Sequence, residues 1–441
     1  MQIEAERRVA DLRREVREAT RGLGASDAEV EAALRPGRKR ARSERGRPML
    51  RLTLVEQEGV LRWVGGETRS RRTRRGGARA GKKRGPGDDG VAELHALDFE
   101  RIAPSEITAH LDRLDLKLTP ARGLRRWQNG NLVPVRKPTA GAGSRVLLVI
   151  HGTFSRGEAI TEQLAAARGG TELFRALSRR YAEILTFDHP TLAVSPMLNA
   201  FDLERALGGC PATFDIVAHS RGGLVARIWA DAFRGGARGV GRLVLVGSPL
   251  AGTSLAAPPR LREAMDYLSN LGGVLRGVFS AGAANPFFAV GAGVMQVLTS
   301  ITAVAARTPL FDAAVALIPG LAAQSRVGNA PEILRLRASD AIPRQSVFAV
   351  RADFEPPKVG WAFWRLFSNP KQRLADLGAD LLFPGPNDLV VDRDSIVSLA
   401  NRVEIPEQQV LDFGTQADVH HCNYFAQERT VRFLSRALLA E

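Results

Sequence analysis

From residue 145 onward, short and uniformly apolar runs alternate with stretches of helical spacing, and no other feature constrains the fold as much. The runs are RVLLVI (145–150), EILTF (183–187), FDIVAH (214–219), RLVLVG (242–247), SVFAV (346–350) and QVLDF (409–413). Strands that are apolar at successive positions are buried on both faces. Such a sheet needs helices on each side, and the intervening stretches supply the crossovers of parallel strands. The expectation is an α/β fold with a mostly parallel sheet. Between the fourth and fifth runs lies a long insertion, about 255–345, whose stretch 277–306 carries no charged side chain. That length is enough to span a bilayer. It also holds Asn285, Pro286, Gln296 and several Gly and Thr, and it interrupts a soluble fold. A helical cap or lid is therefore expected, with an apolar inner face able to touch a membrane surface.

Residues 1–143 are expected to form a smaller N-terminal accessory region. Val9, Leu12, Val16 and Ala19 recur at helical spacing within a charged segment, 1–35, that Pro36-Gly37 closes. Residues 49–64 alternate apolar and polar positions around Glu58-Gly59 and predict a β-hairpin. Residues 65–90, rich in Gly, Arg and Lys without apolar periodicity, read as a basic low-complexity linker. The chain carries 62 Lys and Arg against 47 Asp and Glu, a net charge of +15. Residues 38–84 hold 17 of those bases and four of the acids, so the excess is local and the main domain is close to neutral. Within it, the tract 65–84 lacks interleaved aromatics and a recognition helix. A solvated linker is the first expectation; contact with an anionic membrane or nucleic acid is the alternative. Two cysteines, Cys210 and Cys422, exclude a disulfide framework and a cysteine-rich zinc module. The opening residues, thick with Glu and Arg, are unlike a signal peptide. A cytoplasmic location is expected, with peripheral membrane association as a variant.

The most informative segment is FDIVAHSRGGLVARI (214–228). A strand runs straight into Ser220, and Arg221-Gly222-Gly223 opens an amphipathic helix. A sharp strand-to-helix turn of this kind holds a serine hydroxyl clear of the sheet, beside a helix N-terminus. Small residues two before and two after the serine, here Ala218 and Gly222, let strand and helix approach closely. Upstream, the first strong strand ends in His151-Gly152-Thr153-Phe154. Downstream of Ser220 only two histidines remain, His420 and His421. The segment FPGPNDLVVDRDS (383–395) offers Asp388, Asp392 and Asp394.

These motifs resemble the α/β-hydrolase superfamily, in its lipase/esterase-like branch, across roughly 145–437. Ala218 departs from the usual G-x-S-x-G, as a known lipase-like variant does. The resemblance implies a Ser-Asp-His triad of Ser220, Asp388 and His421, in the chain order of that fold. His421, three residues before the aromatic Tyr424, is preferred to His420. Asp388 takes the acid's place in a loop similar to the family's N-D-G-V-V, with Leu389 where Gly is commoner; Asp392 and Asp394 are alternatives. The backbone N–H groups of Thr153 and Arg221 would form the oxyanion hole, with Phe154 the second choice to Thr153. His151 and His219 are read as structural, His219 pointing away from the site. Cys422, with no elbow of its own, is a poor rival nucleophile. The loop Gly247-Ser248-Pro249-Leu250-Ala251-Gly252-Thr253 matches a family motif that shapes the pocket wall.

What the resemblance implies is a serine hydrolase acting on a lipid-like or other acyl ester through an acyl-serine, with thioester and amide substrates open. No cofactor and no metal are implied. A silent hydrolase scaffold, or an adaptor whose N-terminal region binds a partner or polyanion, is the alternative.

Overall fold

The computed structural model describes residues 2–21, 23, 49–57, 60–67, 91–234, 239–256, 265–266, 269, 286–302, 318–326, 330–339, 341–354 and 386–440. The chain forms two compact units that interleave along the sequence. One comprises Met1–His110, Arg262–Ala314 and Trp361–Gly378; the other comprises Leu111–Leu261, Val315–Gly360 and Ala379–Glu441.

The first unit is built on three antiparallel strands, β1 (Met49–Gln57), β2 (Val60–Glu67) and β3 (Val91–Glu100), in the order β2-β1-β3. Pairing of β1 with β2 starts at Gln57↔Val60, the hairpin register that the alternation predicts. The period of two puts Leu50, Leu52, Leu54, Leu61 and Trp63 on one buried face. Two helices pack with these strands: Gln2–Thr20, which buries Leu12 and Val16, and Pro286–Thr302, which buries Phe288, Val290, Val294 and Leu298. Trp63 fastens the unit, its ring N–H donating to Ser269 Oγ at 2.8 Å and its backbone N–H to Asp266 Oδ1 at 2.8 Å. The uncharged stretch of the insertion thus supplies a helix to the same unit as the N-terminal hairpin. The basic tract from 68 onward lies outside the described residues. Among the described residues no helix is long and apolar enough to cross a membrane.

The second unit holds β4 (Gly123–Gln128), β5 (Asn131–Pro134), β6 (Arg145–Ile150), β7 (Glu183–Asp188), β8 (Thr213–His219), β9 (Val240–Val246), β10 (Val347–Phe354), a small ribbon of β11 (Ser398–Ala400) and β12 (Val403–Glu404), and β13 (Val410–Gln416). Eight of them form one sheet in the order β13-β10-β9-β8-β6-β7-β4-β5. The six apolar runs are its six parallel strands, and β4 joins β7 antiparallel. Alternate side chains serve opposite helix layers. Val146, Leu148 and Ile150 of β6 join the core under helices Pro196–Leu207 and Gly222–Phe233. Leu147 and Val149 join the core under Gly157–Ala166, Gly170–Arg180 and Glu428–Leu439. Each such Leu or Val contributes about 1.5–3 kcal/mol by leaving water.

The division differs from the sequence expectation in two places, the first being that Arg262–Ala314 of the insertion falls in the unit of the N-terminal strands. The other is that a break at 143/144 falls inside the second unit, because β4 and β5 pair onto the edge of the large sheet. Read from that edge, the strands run second, first, fourth, third, fifth, sixth, seventh and eighth in chain order, and β4 alone runs opposite to the rest. This sheet, with a strand–serine–helix turn after its fifth strand, is the α/β-hydrolase fold.

Candidate functional site

The centre of the site is the end of β8. Ser220 adopts φ +53°, a left-handed conformation that costs a non-glycine residue on the order of 1–3 kcal/mol and persists only where its surroundings enforce it. Here the Ser220 N–H donates to Val246 O at 2.8 Å, and the Gly223 N–H donates to Ser220 O at 2.9 Å. Gly222 is required by close approach: a Cβ there would lie 2.5 Å from Ile150 O and 2.6 Å from His151 O. The helix Gly222–Phe233 therefore starts hard against the end of β6. Ala218, fully buried, is accommodated in the strand below.

Asp388 and His421 come together. His421 Nδ1 lies 2.9 Å from Asp388 Oδ2, and the His421 N–H donates to Asp388 O at 2.9 Å. Oδ2 also accepts from the Tyr424 hydroxyl at 2.9 Å, while Oδ1 accepts from the N–H groups of Val390 (3.1 Å) and Val391 (2.8 Å). Burial alone would raise the Asp388 carboxyl. The charge and hydrogen bond of His421, with the bonds from Val391 and Tyr424, outweigh it and hold the group below the usual carboxylate range. Leu389, the departure from the family loop, takes φ +82°. This is a conformation glycine adopts freely, so the leucine carries the strain while its side chain stays buried.

The alternatives separate from this pair. Among the described residues no hydrogen bond joins His420 to a carboxylate: its Nδ1 accepts from the Cys422 N–H at 3.3 Å and its ring sits beside Phe354. Burial pushes His420 down to about 4. Asp392 accepts from the N–H and Oγ of Ser254, and Asp394 is an exposed partner of Arg326. The Cys422 thiol is pushed up to about 12 by burial, and at that value it is not a thiolate near neutrality.

His219 does not point away from the site. Its Nε2 lies 3.0 Å from His421 O, which can only accept, so Nε2 carries the proton. Its ring lies 4.7 Å from the His421 ring, centroid to centroid. Burial pushes it down to about 3, so it remains neutral. The Ser220 hydroxyl and the His421 imidazole share no direct hydrogen bond. His219 connects their surroundings, preceding one in sequence and packing on the other.

After β6 the chain passes close over the serine, where a Cβ on Gly152 would sit 2.5 Å from Ser220 Cβ. His151 is fully buried and braces this loop: its Nδ1–H donates to Gly152 O at 2.9 Å, and its Nε2 accepts from the His189 N–H at 3.0 Å. The Phe154 N–H is turned to Thr191 Oγ1, at 3.4 Å. The Thr153 N–H has no acceptor among the described residues, which sets it apart from Phe154 as an available donor. Thr153 Oγ1 accepts from Gln324 Nε2 at 3.1 Å, and that amide also donates to Gly320 O at 2.7 Å. The backbone N–H of Arg221 stands at the start of the helix Gly222–Phe233, the end where the helix dipole favours negative charge. Its guanidinium is directed elsewhere, to Val194 O and Asn199 Oδ1, and desolvation lowers it to about 10. The 247–253 loop ties neighbouring segments together through Thr253 N–H to Gln324 O (2.7 Å) and Ala251 N–H to Ser395 Oγ (3.0 Å).

Sequence reasoning passed over Gln324, Asp115 and the hydroxyl of Tyr424, and it misjudged the orientation of His219. Asp115 is fully buried and accepts from the N–H groups of Thr191, Leu192 and Ala193, fixing the loop that receives Phe154. No cluster of three or more His, Cys, Asp or Glu suited to a metal ion occurs among the described residues.

The sheet and the serine turn place the molecule in the α/β-hydrolase class. A family model described as a domain of unknown function, DUF7379, matches residues 117–439, and the chain belongs to that family. No curated protein matches it. Solved structures similar to it include EstA from Clostridium botulinum, at 15% identity over 74% of this chain and 97% of that one, with a TM-score of 0.38. Lipase 1 from Pelosinus fermentans is 13% identical over 64% and 94%, with a TM-score of 0.38. A thermophilic esterase from Thermogutta terrifontis is 16% identical over 68% and 91%, with a TM-score of 0.33. At such TM-scores the fold rests on the strand order and the elbow.

Proposed function

We propose that the chain is a serine hydrolase that cleaves a lipid-like or other acyl ester through an acyl-serine. Ser220 Oγ attacks the carbonyl carbon as His421 Nε2 takes its proton. The tetrahedral oxyanion is held by the N–H groups of Thr153 and Arg221; fixed backbone dipoles need no reorganisation as charge develops. His421 then gives the proton to the leaving alkoxide, leaving the acyl-serine. Water repeats the sequence, and the acid and free serine are released. Asp388 keeps the imidazole in the tautomer with Nδ1–H and stabilises the imidazolium. No metal or cofactor takes part in this scheme. In the same reading, the basic tract 65–84 is a solvated linker, with salt-dependent contact to an anionic membrane or nucleic acid as its alternative role, and the protein acts from the cytoplasm.

The observation that carries the proposal is the buried Asp388–His421 pair at 2.9 Å, beside a serine held at φ +53°. The missing Ser220–His421 hydrogen bond is the feature that favours a silent scaffold. Nucleophile–base bonds are commonly long without substrate, so it does not decide the matter. Turnover of a short p-nitrophenyl ester tests it. Ser220→Ala and His421→Ala should each lose on the order of 10³-fold or more in kcat while remaining folded, since triad members act as a unit. Folded variants with wild-type turnover, or a wild type with none on esters of any chain length, would refute it. Loss in His420→Ala with activity kept in His421→Ala would exchange the two histidines.

A further inference from the structure

Asp388 Oδ2 receives two donors. One is His421 Nδ1–H; the other is the hydroxyl of Tyr424, also at 2.9 Å. Oδ1 is filled by the N–H groups of Val390 and Val391. A carboxylate offers about four lone-pair sites, and here four donors occupy them. The backbone donors fix one oxygen. Among the described residues, the oxygen that faces the base is held on its other side only by the phenol.

Tyr424 is built into this position. It is fully buried and opens the short turn Tyr424–Ala426, three residues after His421. Its ring lies 6.2 Å from the Phe413 ring on β13. Across the site, Gly247 at φ +55° leaves room for it: a Cβ there would fall 2.9 Å from Tyr424 Cε2 and 3.1 Å from both Asp388 Oδ2 and His421 Nδ1. Burial and the neighbouring carboxylate push the phenol well above its ordinary value, so it stays protonated and can only donate to Oδ2. A phenolic O–H donating to an ionised acceptor is among the stronger hydrogen bonds a side chain makes.

We propose that Tyr424 is a positioning residue of this site, its hydroxyl aiming Asp388 Oδ2 at His421 Nδ1 and sharing the carboxylate's charge with the imidazole. The inference rests on the serine-hydrolase reading above. Two opposed consequences follow from its removal. With one donor fewer, Oδ2 is a stronger acceptor for Nδ1–H but is free to swing out of line. The hydrogen bond to His421 becomes shorter on average in the ground state, while the imidazole is less well held at the moment it takes the serine proton.

The test is Tyr424→Phe in the full chain, which keeps the ring and its packing. The expected result is a fall in kcat of about tenfold with KM unchanged, as for an interaction used in the transition state. The far-downfield proton resonance of the His421 Nδ1–H, assigned by its loss in His421→Ala, should move further downfield. On an Asp388→Asn background, Tyr424→Phe should lower kcat no further. Should Tyr424→Phe fail to fold, fluorotyrosine at position 424 gives the complementary readout. It is a stronger donor, and the Nδ1–H resonance should move upfield. Unchanged kcat and unchanged resonance in a folded variant would overturn the inference. A fall in kcat with a fixed resonance would also overturn it, by reducing Tyr424 to packing. Failure of the hydrolase reading is distinguishable, because Ser220→Ala would then leave turnover unaffected whatever Tyr424→Phe does to the resonance.

Discussion

Replacing Asp388 by Asn removes a charge and little else from the site, and its consequences can be worked out atom by atom. The carboxylate meets four donors: His421 Nδ1–H, the Tyr424 hydroxyl and the N–H groups of Val390 and Val391. An amide has one acceptor oxygen and one NH₂, so one pair of donors must face NH₂. The two backbone N–H groups cannot rotate away, and they claim the oxygen. The NH₂ then faces Tyr424, whose hydroxyl can turn and accept, and His421, which must present a bare Nδ1 and carry its proton on Nε2. In that tautomer Nε2 cannot take a proton from Ser220. A tautomer error of this kind lowers kcat by about 10⁴-fold in triad enzymes. Stability should change with pH as well. Asp388 is held below the usual carboxylate range, so ionisation contributes stability that is fully present above the unfolded-state value of about 3.9 and is lost as pH falls through the lower, folded value. The amide variant has no such dependence. Urea unfolding of wild type and Asp388→Asn should therefore show a stability difference that shifts against the wild type on acidification from pH 7 to below 4, alongside p-nitrophenyl ester assays at pH 7. A variant retaining a tenth or more of wild-type kcat would refute the tautomer argument. A stability difference indifferent to pH would refute the electrostatic one.

Other substitutions probe the supports. Gly222→Ala places a Cβ 2.5 Å from Ile150 O, a backbone atom that cannot turn aside; thermal unfolding should show a loss of roughly 1–3 kcal/mol, with turnover reduced. Gln324→Leu removes the amide that braces Thr153 and should lower kcat roughly two- to tenfold at unchanged KM, the worth of one ordinary hydrogen bond; no change in steady-state kinetics would make the brace dispensable. Trp63→Ala empties a site that is 1% exposed and should cost about 3–5 kcal/mol in denaturant unfolding. Trp63→Phe, which keeps most of the volume, should cost less.

What the sequence made legible was what two periodicities encode. The inner strands, buried on both faces, announce themselves as apolar runs; with β13, which lies half-buried at the sheet edge, these runs are the parallel strands of the large sheet. The serine turn was legible because its small neighbours are demanded by backbone contact, as at Gly222. The edge pair β4 and β5 was not, because GLRRWQ and NLVP bury little beyond Leu124 and carry no strand period. Nor could the pairing of helix Pro286–Thr302 with β1 and β2, more than two hundred residues earlier, be read, since apolar periodicity marks a face without naming its partner. Asp388 and His421 followed from chain order and motif, whereas Gln324 stands alone in the insertion with no pattern around it. His219 was misjudged because adjacency to Ser220 says nothing of the ring's direction. Tyr424 served only as a spacing marker for His421, and its hydroxyl became meaningful only once the Asp388 loop was seen folded against it.

The central claim is that Ser220 is an activated nucleophile. The most direct measurement is covalent labelling of the intact protein by a fluorophosphonate, followed by mass mapping of the modified peptide. The account predicts one adduct, on Ser220, formed rapidly by the wild type, and none on folded Ser220→Ala. Folded wild-type protein that takes up no label, or label that persists undiminished in Ser220→Ala, would contradict it.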